Sequence, residues 1–534
     1  MKTRLYVFFL ALLAVPAAWA ADQAVDYATQ SITLALSEEP PDLNSMRSTD
    51  TVSFFVLGHV NEGLLRYDRR GRLAPGVAER WEVGLEGATF WLRADAKWSD
   101  GQPVTAADFV FAWRNVVDPQ TASQYAYILY PIKHAEAINR GEKPVEQLGV
   151  YAIDERTLKV EFDKPCQYFL SLTAFGTYYP VREDFFKSRG QRYAADAGDL
   201  LFNGPFKLTH WVHSASLRLE KNEHYWDRDK VQLNVIDVPY ITDDPMARLN
   251  LFKDEKIAMT GLNSETLKDA LRQKYKIRRH LDGSVFYLEF NHRQGRPTRN
   301  RNLRKAIQAI FDPNELVDKV IAVPGNAPGR SLIPNWIMGL DKPFREQYPA
   351  REIAVDLEQA QVYLQQAQQE LGVDALPPLV YLTGDSPDAS KQAEYMQNLF
   401  RTTLGIELKI DKQTFKQRLE KMTTGDFDLV AAGWGPDYDD PMTFADLFAS
   451  WSENNRGRYA SEAYDKWIRL AQSAEDPRER MDAMGKAQDL IIDDVVILPQ
   501  YERSVNYVQH PKIKGIVRTR FGGDPNYVYA RIVE

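Results

Sequence analysis

Cysteine is almost absent from this chain: Cys166 is the single one in 534 residues. An intrachain disulfide is therefore excluded, and packing must supply the stability. No general base is visible beside Cys166, in Lys164-Pro165-Cys166-Gln167-Tyr168, so it reads as a buried structural thiol. Histidine is scarce, at eight residues. The only close pair, His210 and His213, would face opposite sides of a strand, whereas zinc needs three or four convergent ligands. Phosphate-loop, dinucleotide-binding, nucleophile-elbow and H-E-x-x-H motifs are all missing. Neither a metal nor a cofactor is expected. A net charge of −8 leaves no basic footprint for nucleic acid. Paired carboxylates are plentiful, so acid-base hydrolysis stays open on composition alone.

Long apolar runs are missing too, except at the start. Lys2 and Arg4 precede an apolar stretch from Leu5 to about Val15, and Ala18-Trp19-Ala20 follows. A basic start, a short apolar core and an A-x-A site predict a secretory signal peptide over residues 1–20. The core is too short for a stable membrane span. What remains after cleavage is too long for one ordinary domain.

Residues 352–432 carry the clearest pattern. Leu357, Ala360, Leu364, Ala367 and Leu371 fall on one helical face, stopped by Gly372. Residues 379–383 read as a strand. Ala389, Ala393, Met396 and Phe400 form a second helical stripe, closed by Gly405. Residues 406–410 read as a strand, 414–422 as a helix, and 427–430 as a strand. This β-α-β-α-β order predicts a mostly parallel sheet whose strands end at one edge. Elsewhere, residues 31–36, 88–98 and 157–162 read as strands, and Thr105 to Asp108 as a capped helix start. The charges between Arg296 and Lys305 read as the solvated face of a helix.

From the strand at 427–430 the chain enters Gly433-Trp434-Gly435-Pro436-Asp437-Tyr438-Asp439-Asp440-Pro441. Two glycines and two prolines predict a loop from residue 431 onward. It lies at the carboxyl end of a strand, where open α/β sheets bind ligands. Asp439 and Asp440 read as solvated loop acids. Asp437 lies between Pro436 and Tyr438, close behind Trp434. A carboxylate beside aromatic rings can hold an ammonium by charge-assisted hydrogen bonds; it can equally be an Asx-turn residue that only shapes the loop.

Further stretches, together with this loop, give the chain a resemblance. They are Asn61-Glu62-Gly63-Leu64-Leu65, Ala74-Pro75-Gly76-Val77-Ala78-Glu79-Arg80-Trp81, the run Lys97 to Phe109, Asn203-Gly204-Pro205-Phe206-Lys207-Leu208 and Tyr225-Trp226-Asp227. With them the chain resembles the periplasmic oligopeptide-binding proteins, extracellular solute-binding proteins of family 5. The resemblance implies an α/β, two-lobed fold of the type II periplasmic-binding-protein kind with an extra inserted domain. It places residues 21–58, 185–284 and 502–534 in the first lobe, 59–184 in the inserted domain and 285–501 in the other lobe.

The resemblance also implies a function. The protein would act as a periplasmic monomer, closing on an oligopeptide and passing it to an inner-membrane ABC permease. Asp437 matches the aspartate that binds the peptide ammonium. Gly433 and Trp434, with Tyr438 beside Asp437, match the backbone edge and pattern of that loop, where pairing would be β-augmentation. Glu289 matches a pocket-lining acid, and Tyr125 and Phe415 match aromatic pocket positions. The chain also departs from the family. Ala431 stands where relatives that bind short peptides carry an arginine for the C-terminal carboxylate, and a histidine of similar role is replaced near Ser390. The acidic segment facing the loop is shifted, to Ser48-Thr49-Asp50-Thr51. A modified peptide, such as a muropeptide, or a non-peptide solute is the alternative ligand.

Overall fold

The computed structural model describes residues 23–521 and 524–534; the expected signal peptide lies outside them. One lobe is built on a five-stranded sheet in the spatial order Val25–Asp26, Ser31–Leu36, Val235–Ile241, Ser216–Lys221, Phe206–Val212. Side chains alternate across it: Leu217 and Leu219 are buried while Arg218 and Glu220 turn outward, as a one-sided sheet requires. Tyr527, Val528, Ala530 and Ile532 pack into the same core, so the C-terminal tail returns to the lobe where the described chain begins.

The second large sheet is organised by two thirteen-residue strands, Arg278–Phe290 and Ile497–Gln509, paired antiparallel along their length. Residues 278–281 pair with 504–507, next to the strand Met259–Leu262. Residues 285–289 pair with 497–502 in the other lobe. Between these halves the register breaks at Asp282-Gly283-Ser284. Gly283 sits at φ +87°, where an L side chain would be strained and would also strike the Trp336 ring. Arg503 Nε donates to Asp282 Oδ2 at 2.6 Å across the break.

The β-α-β-α-β unit hangs on this pair. Helices Leu357–Leu371 and Pro387–Leu404 end at Gly372 and Gly405, both left-handed as C-cap glycines are. Strand Leu379–Gly384 runs parallel to Leu408–Gln413 and, briefly, to Leu429–Trp434. The unit is parallel, but the sheet is mixed, because the two long strands join it antiparallel. The last strand also overturns the loop expected from residue 431: it continues to Trp434, since residues 431–434 pair with 285–288.

The inserted part carries an antiparallel four-stranded sheet, Ala78–Val83, Gly87–Leu92, Thr157–Glu161 and Val150–Asp154. The strand expected over 88–98 stops at Leu92, where Arg93 turns to the Gly76 carbonyl and the Trp226 ring. The run from Trp98 to Phe109 is scaffold: the buried Asp108 accepts from the Thr105 N–H at 2.8 Å and from Trp98 Nε1 at 3.1 Å. Cys166 is buried, and burial pushes its thiol up to about 12.

Two charged positions depart from the solvated reading. Arg304, only 4% exposed, donates to the carbonyls of Thr298, Arg299, Asp494 and Val495. Asp440 forms a two-pronged ion pair with the buried Arg480, at 2.8 and 2.5 Å.

Candidate functional site

Asp437 lies where the strand Leu429–Trp434 has turned through Gly435 and Pro436 toward the inserted part. Its backbone N–H donates to Thr443 Oγ1 at 3.0 Å, which fixes the turn. Tyr125 Oη donates to its Oδ1 at 2.9 Å from the opposite wall. Among the described residues no lysine, arginine or histidine pairs with this carboxylate, although it is buried. Burial pushes it up to about 8, and the Tyr125 and Thr443 hydroxyls offset only part of that. Asp446, also buried, is held well above the usual carboxylate range by burial and by Asp437; among the described residues its Oδ1 has no hydrogen-bond partner. Arg480 acts on Asp446, but at Asp437 the described residues supply no cation.

Asp437 opens onto a cavity of about 630 Å³ between the lobes. Glu38, Thr51, Asp243 and Arg248 line one wall; Ser284, Asp388, Pro436 and Tyr501 line the other. Next to Asp437 the strand offers a free edge. Beyond Val430 its neighbour Leu379–Gly384 no longer pairs with it, so among the described residues 431–434 have a strand partner only on the 285–288 side. Gly433 is required there: a Cβ would come within 2.8 Å of the Phe286 ring.

The other expected residues divide. Trp434 is half-buried with its ring 6.0 Å from Tyr125, and its Nε1 is buried without a partner among the described residues. Tyr438 stacks on Tyr168 of the inserted part, 5.5 Å apart and 8° from parallel. Glu289 is buried and its Oε1 accepts from the Gly457 N–H; burial pushes its carboxyl up to about 7. Phe415 opens the helix Phe415–Thr424, its ring 5.3 Å from the Arg418 guanidinium. Of the seven expected residues only Asp437 lines the cavity; Tyr125, Gly433, Trp434, Tyr438, Glu289 and Phe415 do not. Asp50, in the shifted acidic segment, caps the helix Thr51–Val60 by accepting from the Ser53 N–H at 2.8 Å.

The walls touch. Arg456 Nη2 reaches Gln124 Oε1 at 2.8 Å and Thr49 Oγ1 at 3.4 Å, while its Nη1 holds the Leu419 carbonyl at 3.1 Å. Arg469 pairs with Glu136. No local pattern marks Arg456 in the sequence, because its partners Gln124, Thr49 and Leu419 lie far along the chain.

Two lobes bridged by paired strands, closed over a cavity with an unpaired buried carboxylate, define a ligand-trapping binding protein. The model of bacterial extracellular solute-binding proteins, family 5 Middle, matches residues 72–456, and the chain belongs to that family. It is 32% identical over 499 residues to the oligopeptide-binding protein OppA of Bacillus subtilis, covering 91% of this chain and 90% of that one. The solved structure of Listeria monocytogenes OppA bound to peptide superposes with a TM-score of 0.88 at 34% identity, covering 95% and 99% of the two chains. An unliganded open form of the murein tripeptide-binding protein MppA reaches 0.63 at 27% identity, covering 96% and 99%. The lobes of this chain are thus arranged more like the peptide-bound relative than like the open one.

Proposed function

We propose that this chain is a periplasmic binding protein that captures oligopeptides between its lobes and delivers them to an inner-membrane ABC permease. It acts as a monomer, leaves its ligand chemically unchanged, and reaches the periplasm through the signal at residues 1–20. The observation that carries this reading is Asp437: a buried carboxylate without a cation, at the end of a free strand edge. A peptide's α-ammonium supplies the missing charge, and its main chain can pair with residues 431–434 whatever its side chains. Tyr125 orients the carboxylate, and the Trp434 ring beside it excludes water, which strengthens the ion pair.

The same geometry couples binding to closure. An empty closed site must bury an unpaired carboxylate or keep it protonated, and both disfavour closing at neutral pH. The ligand ammonium removes that cost, so the peptide binds the closed state more tightly than the open one. In this reading residues 21–58, 185–284 and 502–534 form one lobe, 59–184 ride on it, and 285–501 form the other. The break at Asp282-Gly283-Ser284 is the hinge.

Ala431 supports a second reading, in which the ligand is a modified peptide such as a muropeptide, because a side chain able to fix a C-terminal carboxylate is missing at that position. Mass spectrometry of ligand released from the purified, denatured protein tests both. Mixed short peptides support the first, a single muropeptide mass supports the second, and a single non-peptide mass overturns both.

A further inference from the structure

Arg418 stands at the other end of the free edge from Asp437. It lies one turn into the helix Phe415–Thr424, and its Nη1 is 3.5 Å from the Ala431 carbonyl, the long limit of a hydrogen bond. Its Nε is buried with no hydrogen-bond partner, and among the described residues no carboxylate lies in ion-pair contact with it. A guanidinium has five donors in a planar fork; among the described residues their one hydrogen bond is that long contact, and the fork lies against the Phe415 ring. Burial lowers its pKa, and Glu38 of the facing wall leads the groups that raise it. Glu38 lines the cavity, and its Oε2 is likewise buried without a partner. A half-buried cation and a half-buried acid thus face each other across the cleft, near enough to interact and not touching. Glu38 is no obligatory partner: burial, with Asp243, Asp50 and Asp385 nearby, pushes it up to about 7.

We infer that Arg418 holds the C-terminal carboxylate of the bound peptide, doing from the neighbouring helix what Ala431 cannot do from the strand. This rests on the peptide-binding reading and adds a length to it. The edge from Trp434 to Ala431 spans about 10 Å at roughly 3.3 Å per residue. With the turn to Asp437 added, a peptide whose two ends reach Asp437 and Arg418 has about three to five residues.

The test is calorimetry with tri-, tetra- and penta-alanine, each as free acid, C-terminal amide and N-acetyl acid, on the wild type, Arg418→Gln and Arg418→Lys. The wild type should prefer the best free acid over its amide by at least ~10-fold, as a charge-assisted pair implies. Arg418→Gln should lose most of that preference and keep the preference for a free over an acetylated N-terminus, which also certifies its fold. Arg418→Lys, with charge but no fork, should keep part of it. Equal affinity of the wild type for acid and amide, or an undiminished preference in either variant, overturns the assignment of Arg418. Failure of the wild type to bind any of these peptides would overturn the peptide-binding reading instead.

Discussion

Replacing Asp437 by Asn separates the two things this carboxylate does. The substitution keeps the shape and an acceptor for Tyr125 Oη, now at 2.9 Å from Oδ1, and removes only the charge. In the bound state the ligand ammonium loses its counter-ion in a buried site, which costs about 2–5 kcal/mol, a ~30-fold or greater loss of affinity. In the empty closed state the sign reverses. Burial raises Asp437 from 3.8 to about 8. Between those values the closed form binds the proton more tightly than a hydrated carboxylate does, so its stability falls as pH rises through that window. The penalty is complete above about pH 8 and absent below about pH 4. Asn never ionises and never incurs it. Asp437→Asn should therefore bind free-amine peptides far more weakly, while its empty form at pH 8.5 is closed to a greater extent than the wild type. Calorimetry reads the first effect and small-angle scattering the second. Unchanged affinity, or a variant no more closed than wild type at pH 8.5, would refute the reasoning.

Other expectations follow from the same contacts. Scattering on empty wild type should show more closure at pH 5 than at pH 8.5, and peptide should remove most of that difference. Tyr125→Phe removes one hydrogen bond to a charged group and should weaken binding by about 1.5–3 kcal/mol in calorimetry. Glu289→Ala leaves the Gly457 N–H without its acceptor and should lower stability by about 1–3 kcal/mol in urea unfolding, with peptide affinity unchanged.

How much of this was legible depended on how far each residue's partner lies along the chain. The helices Leu357–Leu371 and Pro387–Leu404 could be read because their apolar stripes and stop glycines are local. Asp437 became a candidate because rings and turn residues flank it, and the family resemblance, not the local pattern, made it the ammonium site. The strand through Gly433-Trp434 could not: its own residues spell a loop, and pairing with 285–288, some 146 positions away, overrides them. The same holds for Asp440, paired with Arg480, and for Arg304, which spends its donors on carbonyls including those of Asp494 and Val495. The family resemblance made Glu289 a pocket acid, and the structure has it accept from the Gly457 N–H. Arg418 carried no sequence signal because its significance lies in being beside Ala431 and opposite Glu38.

The central claim is that a free peptide ammonium completes a charge pair at Asp437. The most direct measurement is calorimetry of one short peptide that binds the wild type, against its N-acetylated form at neutral pH. The account predicts that acetylation weakens binding by ~30-fold or more, the same loss of one partner of a buried pair. Equal affinity for the two forms would contradict it.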